Sequence, residues 1–287
     1  MSSTSIEFEY AYTNPSGVVL KDDPRIALST DRQFSFRGSI NQPALFAKML
    51  LALVGVVRSK FTRHGQAILD PVVTCDNSSI RFEGFSGCCG VYVIATFSDT
   101  MFSSFEPCVG TTNVDINDEL RNGLARISAT NKLQLAVNDR GIDVDVNENR
   151  FSEKKVKLPV RWLRGFGEVQ SILPRIEHRL TASGQDTLKF LQRLPKNAAN
   201  KKPLAATKSG KHIRVSTNLT DQAVPIIGTD RISLLQPLLR SRDWLAVQWI
   251  PAWASMTWNF PNKNQSLLRL RRTDSRIGVT QLRPNPT

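Results

Sequence analysis

The sequence is poor in the residues on which most metal and nucleophilic chemistry depends. Its 287 residues include 4 cysteines and 3 histidines. Cys75, Cys88, Cys89 and Cys108 contain no C-x-x-C pair. Adjacent cysteines on an extended chain point to opposite faces and do not share one ion. His64, His178 and His212 stand isolated, so no metal site is expected. A Cys88–Cys89 bridge would close a strained ring far from ordinary disulfide geometry, and both thiols are expected to be reduced and structural. There is no G-x-x-x-x-G-K-[ST] phosphate loop, and "RGFGEV" at 164–169 lacks the third glycine of a dinucleotide loop.

Long apolar runs are missing as well. The most apolar segment, Ala44 to Val57, is too short to span a bilayer and carries Lys48. The opening MSSTSIEFEY has no basic stretch followed by an apolar block, so no secretory signal is expected. These features describe a cytoplasmic, non-membrane protein. Carboxylates are plentiful in "NVDINDE" and "DVDVNEN", but neither follows the spacing of a calcium-binding EF-hand loop.

One stretch comes close to an enzyme motif. Gly84-Phe-Ser-Gly-Cys88 matches G-x-S-x-G up to its last position. That motif needs a strand-to-helix elbow, whereas "VYVIATF" after it has the β-branched and aromatic content of a strand. No partner histidine is evident. A serine hydrolase centred on Ser86 is therefore the alternative to a non-enzymatic protein, and no catalytic residue is assigned. The stretch "FEGFSGCCGVY" is expected to be a glycine-lined strand, with Cys88 and Cys89 facing opposite sides.

Charge is plentiful and uneven. The net charge is +13, and Arg193 to Thr287 holds 16 Lys and Arg against 4 Asp and Glu. The first 192 residues hold 22 against 21. A neutral body with a basic C-terminal third suits an anionic partner. Lys201, Lys202, Lys208, Lys211 and Arg214 cluster around a turn and are the candidate nucleic-acid-binding residues. Trp244, Trp249, Trp253 and Trp258 follow, and exposed aromatics can stack bases, although alternating tryptophans also suit a core or an interface.

The hydrophobic pattern alternates between helical and extended periods. Leu45, Phe46, Met49, Leu50, Leu53, Val54 and Val57 make one helical stripe over 42–60. Strand-like runs follow at 69–75, 78–85 and 90–97. Asn117 reads as an N-cap with Asp118 and Glu119 in the first turn. Leu133, Leu135 and Val137 alternate, "NDRG" turns the chain, and Ile142, Val144 and Val146 alternate back as a hairpin. A helical pattern over 160–180 follows. The order then recurs: a helix after Asp186, a hairpin over 204–216, the strand "AVPII", a helix after Asp230 and the strand "WLAVQW". This predicts an α+β fold of antiparallel sheets with helices packed on one face, in repeated helix–hairpin–strand units. The expected domains are 1–195, a smaller basic subdomain over 203–260, and a poorly packed basic tail over 261–287.

Two resemblances attach to these patterns. The helix, hairpin, strand order resembles processivity-clamp half-domains. Separately, "LDPVVT" (69–74), "RFEGFSGCCGVY" (81–92), "GTTNVDIN" (110–117), "EKKVKLPVRWLRGFGEVQ" (153–170) and "FLQRLP" (190–195) resemble the N-terminal region of bacterial SWIM zinc-finger family proteins, over about residues 8–260. In that family the finger follows this region and uses a C-x-C pair and a C-x-H pair. Neither pair occurs here, so zinc is expected only in a C-terminal finger absent from this chain, and no cofactor is assigned to the chain itself. The sequence leaves the family pattern just after "MTWNFP", as a truncated or out-of-frame end would. The resemblance implies an adaptor that works with a MoxR-type AAA+ ATPase and a von Willebrand A-domain protein, with nucleic acid as a further partner.

Overall fold

The structure, a computed structural model, describes residues 16–20, 25–30, 35–59, 70–87, 89, 91–107, 109–138, 140–156, 158–172, 180–195, 204–210, 212–218, 220, 223–226, 232–239, 246–252, 265–271 and 275–281. Two strands open it, β1 (Ser16–Leu20) and β2 (Arg25–Thr30). Next come β3 (Ser35–Ile40), α1 (Pro43–Arg58), β4 (Val72–Cys75), β5 (Ser79–Phe85), β6 (Val91–Ser98) and β7 (Phe102–Glu106). β8 (Gly110–Asn113), α2 (Asp118–Ala125), β9 (Leu133–Asn138), β10 (Gly141–Val146) and β11 (Asn149–Lys154) follow. The remainder is β12 (Leu158–Pro159), α3 (Val160–Ile172), β13 (Leu180–Ala182), α4 (Gly184–Gln192), β14 (Leu204–Ser209), β15 (His212–Ser216), β16 (Val224–Ile226), α5 (Gln236–Leu239), β17 (Ala246–Ala252), β18 (Gln265–Arg271) and β19 (Ser275–Gln281).

The strand pairing has a consistent logic. β3 precedes α1 yet pairs with β9, the first strand after α2. β8 precedes α2 yet pairs with β4, the strand that follows α1. Each helix-and-strands unit therefore lends its leading strand to the other unit's sheet. The same exchange recurs later in the chain. β13, ahead of α4, pairs with β17, and β16, ahead of α5, pairs with β14. Two exchanged pairs of units are then joined edge to edge, because β19 pairs with β6 in one eight-stranded sheet. β11-β10-β9-β3-β7 forms a second sheet, and β15-β14-β16 and β1-β2-β12 are three-stranded.

The antiparallel α+β architecture is the one the periodicity predicts, and several elements lie where expected. α1 begins at Pro43, whose missing N–H costs nothing in a first turn, and buries Phe46, Met49, Leu50, Leu53, Val54 and Val57. Phe46 packs on Phe97 of β6 at 4.5 Å between ring centres and on Phe82 of β5 at 6.1 Å. Asn117 caps α2 by accepting the Leu120 N–H at 2.9 Å. The β9–β10 hairpin pairs Val137 with Ile142 and Leu135 with Val144, as its alternation requires.

Over its described part, Val160–Ile172, the helical pattern expected at 160–180 is helix α3, and residues 173–179 lie outside the described residues. Two expectations differ from the structure. Residues 265–271 and 275–281, expected within a poorly packed tail, are strands β18 and β19 inside the largest sheet. The second exchanged pair begins with β13 at Leu180, before the expected break at 195.

Candidate nucleic-acid and partner interface

α1, α2, α4 and α5 form one connected layer over the sheets. α1 lies against α2 and against α5, and α5 lies against α4. The approach of α1 to the start of the α5 region is close: a side chain at Gly55 would stand 3.6 Å from Leu234 Cδ1. The buried faces of these helices are apolar. Their solvent-facing positions carry Lys48, Arg126, Lys189 and Arg193, all exposed, together with exposed Asp118 and Glu119. Arg121 and Arg58 both reach Asp118 Oδ1, at 2.6 and 3.1 Å, which ties part of this charge into the α1–α2 junction. Cations spread over three helices of one layer can face an extended anion such as a nucleic-acid backbone.

Of the basic residues singled out in the sequence, Lys201, Lys202 and Lys211 lie outside the described residues. Lys208 stands on β14 and Arg214 on β15, both exposed. Lys208 is opposite Ile213, while Arg214 is opposite Thr207. Strand alternation therefore puts Lys208 and Arg214 on opposite faces of the hairpin. The neighbouring His212 Nδ1 lies 2.8 Å from Asp186 Oδ1. The Ser183 hydroxyl and then His212 hold the Asp186 carboxyl below its ordinary range. Ser183 also caps α4 by accepting the Asp186 N–H, so this corner fastens the hairpin to the helix. Among the tryptophans, Trp249 is on β17 opposite Leu180 and Leu268. Trp244, Trp253 and Trp258 lie outside the described residues.

The "FEGFSGCCGVY" stretch is a hairpin corner. Ser86 is fully buried between β5 and β6, and its Oγ accepts the Val91 N–H at 3.1 Å. Its carbonyl accepts the Cys89 N–H at 2.7 Å. A serine in a strand-to-strand turn, with its hydroxyl accepting a backbone N–H, lacks the exposed strand-to-helix elbow of a nucleophile. Cys89 has φ 53°, the left-handed region, and turns the chain with no strand pairing of its own. The expected continuous strand is thus broken at this turn. Cys88 and Cys108 lie outside the described residues. Cys75 is buried on β4. Among the described residues no group of three or more His, Cys, Asp or Glu is arranged to hold a metal ion. No helix among them is long and apolar enough to cross a membrane.

Sequence reasoning missed two polar groups on the sheets. Glu83 is buried on β5, where its Oε2 accepts the Tyr92 hydroxyl at 2.6 Å and its Oε1 lies 3.4 Å from Arg81 Nε. Asp70 precedes β4, and the Val72–Asn113 register continues to place it opposite Asp115. Burial, the Asp115 charge and a hydrogen bond with Asp115 push the Asp70 carboxyl up to about 7, against an opposing pull from Arg58. Alternating sequence positions identify strand faces but not which strands meet, so neither pair has a local signal.

The exchanged-strand units, their repetition and their edge-to-edge joint find counterparts among solved structures. The fold is that of a sliding clamp. The chain is similar to Proliferating Cellular Nuclear Antigen from Entamoeba histolytica, with 12% identity and a TM-score of 0.56, over 87% of this chain and 98% of that one. The PCNA2–PCNA3 complex from Sulfolobus tokodaii matches at 9% identity and a TM-score of 0.58, over 86% and 98%. The DnaN sliding clamp, DNA polymerase III subunit beta, from Pseudomonas aeruginosa matches at 12% identity and a TM-score of 0.52, over 88% of this chain and 66% of that one. No family model matches the sequence, and no curated protein matches it.

Proposed function

We propose that the chain is a non-enzymatic adaptor on a sliding-clamp scaffold, which assembles edge to edge with further copies and holds protein partners on nucleic acid. The observation that carries this reading is a pair of sheet edges among the described residues, at β11 and β15. Within the chain, β6 and β19, each the last strand of its three-strand set, join two exchanged pairs into one sheet. The corresponding last strands of the other units are β11 and β15, and each has one strand neighbour among the described residues. Two unlike edges on one molecule make a head-to-tail contact, which closes into a ring when the rotation allows. Phe151 on β11 and Val215 on β15 pack against the chain's own core, so the backbone of each edge is what remains for a further strand. An unpaired edge strand is a template for another strand.

The helix layer supplies the nucleic-acid surface in this reading. Each phosphate neutralised releases counterions, so affinity for duplex DNA should fall steeply as salt rises. Replacing Lys48, Arg126 and Lys189 together with alanine should weaken binding and flatten that salt dependence. Binding that is already flat between low and physiological salt, or unchanged in the triple variant, would remove the helix layer from the account. The resemblance to SWIM zinc-finger proteins supports the choice of protein partners, a MoxR-type AAA+ ATPase and a von Willebrand A-domain protein. Co-purification of the native chain from its host, followed by identification of the bound proteins, tests that choice; a complex containing neither protein class argues against it.

A further inference from the structure

On the side of the β11-β10-β9-β3 sheet away from the helices lies a trough of about 640 Å³. Its floor is low where Ala136 of β9 and Gly141 of β10 stand side by side on adjacent rows. Its acidic end is already satisfied. Asp143 accepts Arg150 Nη2 at 2.7 Å and the Ser152 hydroxyl at 2.6 Å, and Asp145 lies 3.8 Å from Arg150 Nε. Burial alone would raise the Asp143 carboxyl, but those hydrogen bonds hold it below its ordinary range.

The other end is different. Arg37 on β3, Arg140 at the β9–β10 turn and Lys154 on β11 are all exposed and line the same trough. Strand register places Ser35, Asn138, Gly141 and Lys154 in one row, and Arg37 beside Ala136 in the next. None of the three cations has an ion-pair partner among the described residues. Glu106 of β7 is opposite Arg37 in register, without an ion pair within 4.0 Å. We propose that this trough is a docking site for an extended acidic peptide segment of a protein partner.

Span and charge select that occupant. From β3 to β11 is three inter-strand spacings, about 14 Å. That is too wide for a single oxyanion to bridge, while carboxylates at alternate positions of an extended peptide repeat about every 7 Å. The Ser35 hydroxyl and the amides of Gln134 and Asn138 line the trough and can meet a peptide backbone. A continuous phosphate backbone would run past the three cations onto Asp143 and Asp145, whereas a short acidic segment can end before them. The proposal does not rest on clamp assembly.

The test uses the full chain and a fluorescein-labelled Glu-Ser repeat peptide, with anisotropy as the readout. Arg37→Ala, Arg140→Ala and Lys154→Ala combined should weaken binding about tenfold or more, with an unchanged thermal melt. Ala136→Trp, which fills the floor without altering charge, should also weaken it, and Arg164→Ala at an exposed position of α3, outside the trough, should not. Absence of peptide binding by the unaltered chain, equal binding by the triple variant, or insensitivity to Ala136→Trp overturns the proposal. So does duplex DNA binding that is abolished by the same three trough substitutions.

Discussion

Asp115→Asn should stabilise the protein at pH 8 and leave it nearly unchanged at pH 5. Asp70 and Asp115 face each other at the ends of β4 and β8, where like charges directly opposite are unfavourable. Burial first, then the Asp115 charge and its hydrogen bond, raise the Asp70 carboxyl from 3.8 to about 7. The native state therefore binds more protons than the unfolded chain between pH 3.8 and about 7. The associated stability is complete below 3.8 and is lost as pH rises through about 7. At full burial that displacement corresponds to about 4 kcal/mol; a partly solvated site reduces it to about 2 kcal/mol. Asp115 also raises Glu153 of β11, after burial, so its removal relieves two carboxyls at once. Arg58 retains its bonds to the Ile116 carbonyl and to Asp118 in the variant. Urea unfolding at both pH values reads the difference, with a gain of about 1–2 kcal/mol expected at pH 8. A loss of equal size at both pH values would refute the reasoning, because it would mean that Asp115 serves only as a hydrogen-bond partner.

Three further outcomes follow from the packing. Gly84→Ala places a Cβ 2.8 Å from Val57 Cγ2 and 3.2 Å from the Trp162 ring, and should cost about 1–3 kcal/mol in denaturant unfolding. Asn117→Ala removes the cap of α2 and should cost about 1 kcal/mol, whereas Asn117→Asp should largely preserve stability. Tyr92→Phe leaves the buried Glu83 Oε2 without its 2.6 Å donor and should cost about 1–3 kcal/mol, more than Tyr-to-Phe changes at exposed sites.

The helices and hairpins were legible because their signals are local. The stripe through Phe46, Leu50, Leu53 and Val57 specifies α1, and the alternation either side of "NDRG" specifies β9 and β10. Pairings across long separations carry no such signal. Nothing around Val91–Ser98 indicates that its partner lies at Ser275–Gln281, nor does Ser35–Ile40 announce Leu133–Asn138. The arginine-rich "QSLLRLR" reads locally as a charged tail, yet its Leu268 and Leu270 alternate with Arg269 and Arg271 as a strand requires.

The candidate surfaces were legible to different degrees. The basic turn around Lys208 and Arg214 is conspicuous in the sequence, but the hairpin separates those two side chains onto opposite faces. The helix-layer cations Lys48, Arg126, Lys189 and Arg193 are far apart in the chain and meet only through the packing of α1, α2, α4 and α5. Arg37, Arg140 and Lys154 escaped notice for the same reason, because three different elements bring them to one trough.

Sedimentation equilibrium of the full chain measures assembly through the β11 and β15 edges. A closed oligomer of defined stoichiometry is expected at micromolar concentration, reduced to monomer by a proline at exposed Ser152 on β11 without loss of the folded circular-dichroism spectrum. A monomer at every concentration, or an oligomer indifferent to that proline, would rule out assembly through this edge.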